Sequence, residues 1–418
     1  MHDVPALLLA GFDVWPGPSS WARRMSEAVM ATAGRYRVLT LTVRTAGLAH
    51  SESVLGAWAL RVPVGTGPLL EQVEAFSRAV QRQLDSDTHT LVHTADPFVG
   101  AAVLEHRSGV PLLYETARLP SAALPLLGAH GPDWPDFEAA LRGCERACAL
   151  RSHVAVAVTR SRAEALVATG RTGAVHVLPD GIAVPPELPP RERGPLHVHH
   201  LGSNLSPGAI LLLTEAARTL GVEARFHIGQ PRAVHWPAEI RRSLAAAVRH
   251  GWLTVGEAEA LPPGWADVEV LAPFGSDAQG PASLADALPA LAEGRPVLVA
   301  DSEPARAEFP AGCTVFFQES DSAALAAALG ALGRDTVLRH RAGAEARAYV
   351  ERVHEPTRVR GLLRDLYRQL GAVRVAGRSG GVALSGARGG WGSGLVGSTP
   401  SGPAREATDP GTPSGRFG

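Results

Sequence analysis

Whatever chemistry this chain performs, it performs without lysine, because all 40 side chains of the Lys-plus-Arg class are arginine. That excludes a P-loop lysine on a nucleotide phosphate, a Schiff base and a lysine general base. Among the groups left for acid–base work are His93 and Asp96, at the end of the apolar run Thr90–His93 and just before Pro97. Either could exchange a proton with a hydroxyl, and an aspartate before proline is equally an ordinary turn residue. His197, His199 and His200 crowd one short segment. Alternation along a strand sends His197 and His199 to one face and His200 to the other, so the three cannot converge on a metal. Cys144 and Cys148 lie one helical turn apart and Cys313 far downstream. With no further ligand cluster beside them they read as reduced core thiols, and no metal site is expected.

Helix starts are the other chemical resource, because their free N–H groups and dipole attract anions. The loop Gly202-Ser203-Asn204 leads to a helix with Pro207 near its start and Gly208 just inside it. Gly280-Pro281 makes a second such entry. Gly17-Pro18-Ser19-Ser20 follows the first strand and opens a helix, and an ordinary serine cap explains Ser19 or Ser20. Arg232, in HIGQPR after a strand, is a cation that could swing toward an anion, with a solvated loop arginine as the plainer reading.

These residues are held by an alternation of short apolar runs and longer amphipathic ones. Strands are expected at Ala6–Ala10, Val38–Val43, Thr90–His93, Pro111–Tyr114, Val154–Val158 and Val175–Leu178. Between them lie helical patterns at Ser20–Thr32, Leu70–Leu84, Val99–His106, Trp134–Leu150 and Arg162–Thr169. Strand-then-helix repetition argues for a parallel sheet covered on both faces. The proline-rich passage from Val184 to Pro195 then interrupts the pattern as a stiff connector. Beyond it strands are expected at His197–Leu201, Ala224–Ile228, Val268–Leu271, Pro296–Ala300 and Thr314–Phe317. Helices are expected at Pro207–Leu220, near Glu239–His250, after Gly280, and at Ser322–Leu332 and Thr336–Val353. His354–Leu370 carries one more apolar helix face. After about Val373, Gly, Ser and Pro dominate without periodicity, and the tail is expected to be disordered. The expected division is 1–186, 187–353, a C-terminal helix over 354–372 and a tail over 373–418.

Composition is consistent with this. Hydrophobic residues make up 45% and charged residues 19%, as in a packed globular protein. A net charge of −1 provides no field for a polyphosphate backbone, so no nucleic-acid partner is expected. Neither a secretory leader nor an apolar run long enough to span a bilayer is legible, which points to a soluble cytoplasmic protein.

The run from Ala266 to Ser302, ADVEVLAPFGSDAQGPASLADALPALAEGRPVLVADS, resembles the donor-binding passage of the retaining GT-B glycosyltransferases grouped as family 4. It includes a small-residue helix followed by Gly294-Arg295-Pro296-Val297. The segment from Ala307 resembles the next stretch of that family, and VHHLGSNLSPGAILLLTEAA, from Val198, the opening of its C-terminal lobe. LVHTADPFVGAAVLEHRSGVPLLYETARL and VHVLPDGIAVPPELPP are similar to its first-lobe strands and lobe-closing loop. The resemblance implies two doubly wound Rossmann-like domains facing each other across a cleft. It also implies a nucleotide sugar bound as substrate rather than cofactor, a glycan or lipid-linked acceptor, and no obligatory metal. A role in cell-surface polysaccharide assembly is implied as well, at the inner face of the membrane and compatible with peripheral association there.

The family's charged residues are largely replaced. Its arginine after the opening glycine and its lysine five residues later fall on Ser203 and Gly208. Its paired glutamates fall on Pro281 and Pro289; with a two-residue insertion, Gln279-Gly280 stands for Glu-Gly and Asp286 is the nearest carboxylate. The first-lobe His or Arg falls on Ala117, with Arg118 one place along. The resemblance thus points to Gly202, Ser203, Asn204, Gly208, Arg232, Gln279 and Gly280 for the donor, and to Asp286, His93 and Asp96 for chemistry. Gly17, Ser19, Ser20 and Arg118 would line the first-lobe side. The alternative is a catalytically inactive protein of this fold that scaffolds an active transferase. A third reading is another two-Rossmann enzyme, such as an epimerase of the same architecture or a dinucleotide oxidoreductase; the oxidoreductase option is weakened because no Gly-x-Gly-x-x-Gly comes after the first strand.

Overall fold

The computed structural model describes residues 4–17, 19–116, 121, 134–187, 194–201, 207–229, 237–256, 261–262, 264–271, 284–309 and 312–379. Among them the strands form two sheets, one of eight strands and one of six. In chain order the first sheet comprises β1 (Ala6–Ala10), β2 (Arg37–Val43), β3 (Ser51–Val54), β4 (Ala57–Val62), β5 (Leu91–Thr94), β6 (Leu112–Thr116), β7 (Val154–Ala157) and β8 (Val175–Val177). Their order across the sheet is β3-β4-β2-β1-β5-β6-β7-β8. Every pairing is parallel except the β3–β4 hairpin. The second sheet holds β9 (Leu196–His200), β10 (Ala224–Gly229), β11 (Leu253–Gly256), β12 (Val268–Leu271), β13 (Val297–Asp301) and β14 (Thr314–Gln318), in the order β11-β10-β9-β12-β13-β14. All its pairings are parallel. The expected pair of doubly wound α/β domains is what the chain forms.

Central strands that are apolar at every position need covering on both faces, and β1 is buried throughout. The helices that do this are α1 (Ser20–Thr32), α2 (Leu69–Ser86), α3 (Pro97–Glu105), α4 (Trp134–Arg151) and α5 (Arg160–Ala168) in the first half. In the second half they are α6 (Pro207–Leu220), α7 (Ala238–Arg249), α8 (Leu284–Ala292), α9 (Glu303–Glu308), α10 (Ser322–Arg334) and α11 (Thr336–Val353). A last helix, α12 (Pro356–Ser379), begins two residues inside the expected His354–Leu370 segment and packs on the first sheet. Val359, Leu363, Leu366, Tyr367 and Leu370 share one core with Leu7, Leu9 and Met25. The opposite face of that sheet buries Phe76 and Val80 of α2 with Val99 and Val103 of α3. The second sheet has its own pair of cores, one under α6, α7 and α10 and one under α8 and α11.

The hairpin β3–β4, strand β11 and helix α9 were not among the expected elements, and α8 runs through Pro289. The expected alternation in β9 is present: Leu196 and Val198 enter the core, while His199 turns to Glu269. The tail expected over 373–418 begins later than that, because α12 continues through Ser379, and residues 380–418 lie outside the described residues.

Candidate functional site

In parallel α/β sheets, ligands bind beyond the carboxyl ends of the strands. After β1 the chain turns through Gly11, where an added Cβ would stand 2.4 Å from the Trp21 indole nitrogen. Asp13 accepts a short hydrogen bond from Ser19 Oγ, while Ser19 accepts from Ala22 N at 2.9 Å and caps α1. Gly17 has a packing cause of its own, since a Cβ there would meet the Val14 carbonyl oxygen at 2.5 Å. Ser20 is exposed at the first position of α1.

Asp96 is the cap of α3. It accepts from Phe98 N at 2.8 Å and Val99 N at 3.2 Å, and its other oxygen takes Phe12 N at 2.7 Å. Burial pushes this carboxyl up from its ordinary range, opposed by those three N–H donors. As found, it ties the β1 loop to α3.

His93 is fully enclosed. Its Nδ1 lies 2.6 Å from the Tyr367 hydroxyl and its Nε2 3.2 Å from Glu115. Arg24 Nε donates to the other Glu115 oxygen at 2.8 Å. The same guanidinium donates to the carbonyls of Leu178 at 2.9 Å and Pro179 at 3.0 Å, and lies 3.3 Å from the Asp180 carboxylate. One assignment satisfies every member: Tyr367 donates to Nδ1, and Nε2–H donates to an ionised Glu115. The electrostatics agree. Burial lowers the His93 pKa toward the neutral imidazole and raises that of Tyr367. Burial alone would raise Glu115, but Arg24 and His93 hold it below its ordinary value.

The two lobes meet next to this cluster. Asp180 opens the connector between them, and His354, just before α12, returns to it. His354 Nδ1 bonds the Asp180 carbonyl at 2.8 Å, and Ile182 N donates to the His354 carbonyl at 2.9 Å. Burial raises the Asp180 carboxyl; Arg24 opposes this, and Glu115 and Asp286 add to it. Asp286, half-buried in the first turn of α8, is therefore within electrostatic reach of the connector. Gly208 is exposed in the first turn of α6. Gly202, Ser203, Asn204, Arg232, Gln279, Gly280 and Arg118 lie outside the described residues.

Among the described residues no group of three His, Cys, Asp or Glu side chains is arranged to hold a metal ion. A cavity of about 260 Å³ lies at the opposite, strand-starting edge of the second sheet, lined in part by Asp267, Glu293, Arg295, Arg339 and Arg347. No helix among the described residues is long and apolar enough to cross a membrane.

Arg24, Glu115, Asp180 and Tyr367 were not singled out from the sequence. A signal existed for the first two. Arg24 falls on the buried face of α1 and Glu115 inside an apolar strand, and buried charges require partners.

No protein-family model and no curated protein matches the sequence. Solved structures do. A sucrose-phosphate synthase from Thermosynechococcus elongatus matches with a TM-score of 0.68 at 18% identity, covering 88% of this chain and 100% of that one. Anabaena HepE in complex with UDP and glucose matches with a TM-score of 0.62 at 13% identity, over 87% of this chain and 99% of that one. WaaG, a glycosyltransferase involved in lipopolysaccharide biosynthesis, gives 0.61 at 15% identity, over 85% and 99%. At such identities the likeness establishes the fold alone, and that fold is the two-lobed GT-B architecture.

Proposed function

We propose that this chain is a glycosyltransferase-type protein that binds a nucleotide sugar between its lobes and passes the sugar to a glycan or lipid-linked acceptor. One observation carries the reading. The likeness to glycosyltransferases spans both lobes together, 88% of this chain against 100% of the sucrose-phosphate synthase, rather than one Rossmann-like half. HepE, one of the similar structures, is described with UDP-glucose bound.

The leaving diphosphate must be stabilised where its charge develops. Without lysine, that task falls to the N–H groups at the start of α6, near Ser203, Asn204 and Gly208, and to Arg232. Asp286, with Gln279 and Gly280 before it, is assigned to the sugar hydroxyls. In this reading transfer is retaining and needs no metal, and His93, enclosed and bonded through both ring nitrogens, supports the strand end rather than exchanging an acceptor proton.

Calorimetric titration with UDP-glucose, other nucleotide sugars and the free diphosphates tests the proposal. Micromolar to millimolar binding of at least one donor is expected. Asp286→Ala should weaken the sugar nucleotide roughly tenfold to a hundredfold through a lost charged hydrogen bond, while leaving the free diphosphate nearly unchanged. A folded protein that gives no heat with any member of the panel would sink the reading.

A further inference from the structure

The lobes are joined at a second place, away from the connector. Glu308, the last residue of α9 in the second lobe, reaches the start of α5 in the first. Thr159 Oγ1 donates to Glu308 Oε2 at 2.8 Å and Ser161 Oγ to the same oxygen at 3.1 Å. Arg162 Nε lies 3.9 Å from it. The glutamate is 5% exposed, and its other oxygen finds no hydrogen-bond partner among the described residues. Thr159 is also the cap of α5, accepting from Arg162 N, so the carboxylate sits at the positive end of that helix.

We infer that Glu308 is a positioning residue that clasps the two lobes at a fixed spacing across the cleft. Helix α5 follows the carboxyl end of β7, and α9 follows the carboxyl end of β13. Both ends of the clasp therefore belong to the strand ends where ligands of this architecture sit. The clasp is rigid on each side. Ala305 and Phe309 bury the α9 segment in the second-lobe core, and Leu166 buries α5 in the first. Asp180, Ile182 and His354 tie the lobes at one place, and a single attachment permits rotation about it; a second removes that freedom. Hydrogen bonds weaken steeply with separation, so an opening of about 1 Å ends both. A buried carboxylate with one idle oxygen is a costly way to obtain stability alone, and is better accounted for by the geometry it imposes.

The role in transfer rests on the proposed function; the clasp itself does not. Spin labels at Glu74→Cys and Arg334→Cys, both on exposed helix positions in different lobes, report the interlobe distance in a Cys144→Ser background. Glu308→Ala should broaden that distance distribution and shift it outward. Glu308→Gln, whose amide oxygen still accepts both hydroxyls, should restore it. Ser161→Ala loosens the clasp from the other lobe and leaves the Thr159 cap in place, which covers the case in which Glu308→Ala fails to fold. With the donor found by titration, Glu308→Ala should lower kcat about a hundredfold, as expected for a misplacement of about 1 Å, with a smaller change in donor KM. Distances that respond in a protein that binds no donor would uphold the clasp and remove the transfer reading. Distances in Glu308→Ala and Ser161→Ala that superpose on the unsubstituted protein would overturn the clasp.

Discussion

His93, Glu115, Arg24 and Tyr367 show what a buried polar network demands, since each ionisable atom has a partner and the charges cancel locally. His354 obeys the same logic, with Nδ1 on the Asp180 carbonyl and Nε2 3.1 Å from the Tyr349 hydroxyl. The neutral ring satisfies both contacts, with Nδ1–H donating to the carbonyl and Nε2 accepting the tyrosine proton. Burial accordingly lowers its pKa from 6.5 to about 4. A base whose charged form is disfavoured by folding leaves the unfolded chain as the better proton acceptor. Stability should therefore fall as pH drops through the window from 6.5 to about 4, and level off below it. This group alone contributes about 3 kcal/mol across that window. Urea unfolding near pH 7.5 and near pH 4.5 reads the effect, and His354→Gln should flatten the difference by about that amount. An unchanged slope in the variant would assign the pH dependence elsewhere. His93 and Asp96 could be picked out from the sequence as ionisable groups at a strand end. Their partners could not, because Glu115 is 22 residues from His93 and Tyr367 is 274.

At the scale of elements, the parallel strands were legible because a strand buried on both faces is a continuous apolar run, as ALLLA is in β1. The β3–β4 hairpin was not. Its two-residue turn needs positive φ at both positions, and the chain uses Leu55, at 53°, before Gly56, at 86°, instead of an asparagine or aspartate. Glycines tell a similar story where helices touch. A Cβ at Gly343, in α11, would stand 2.0 Å from the Gly294 carbonyl oxygen, a backbone atom that cannot rotate away. Gly343→Ala must therefore push α11 off the end of α8, at a cost of roughly 2–4 kcal/mol. Gly361, in α12, has nothing within 4 Å of the added atom. There the same substitution should stabilise by up to about 1 kcal/mol through helix propensity. Thermal unfolding of the two variants side by side separates close packing from propensity. Equal shifts of the same sign would remove the packing argument.

The molecule as a whole is tied together by a chain that leaves the first lobe and comes back. After building the second sheet it crosses at His354, and α12 completes the first core from the far end of the sequence. Leu363 is fully buried against that core, Arg360 makes a two-pronged ion pair with Glu27 at 2.6 and 3.1 Å, and Arg364 donates to the Ala31 carbonyl at 3.1 Å. The apolar spacing from Val359 to Leu370 predicted a helix with one buried face, but its destination was unreadable, because periodicity states that a face is covered and not by what. The destination has a measurable consequence. Leu363→Ala removes side-chain volume from the core that holds β1 and α1, and a leucine truncated in a core costs about 2–5 kcal/mol. The loss should appear as faster amide exchange in peptides covering Ala6–Ala10 and Ser20–Thr32, although the substitution lies more than 300 positions away. Peptides covering Leu196–His200 and Ala224–Gly229, in the second sheet, should keep their protection, since none of their side chains shares that core. If exchange rises in α12 alone, the helix is an appendage. If it rises equally in both sheets, the lobes unfold as one unit, and the separate cores described for them do not open independently.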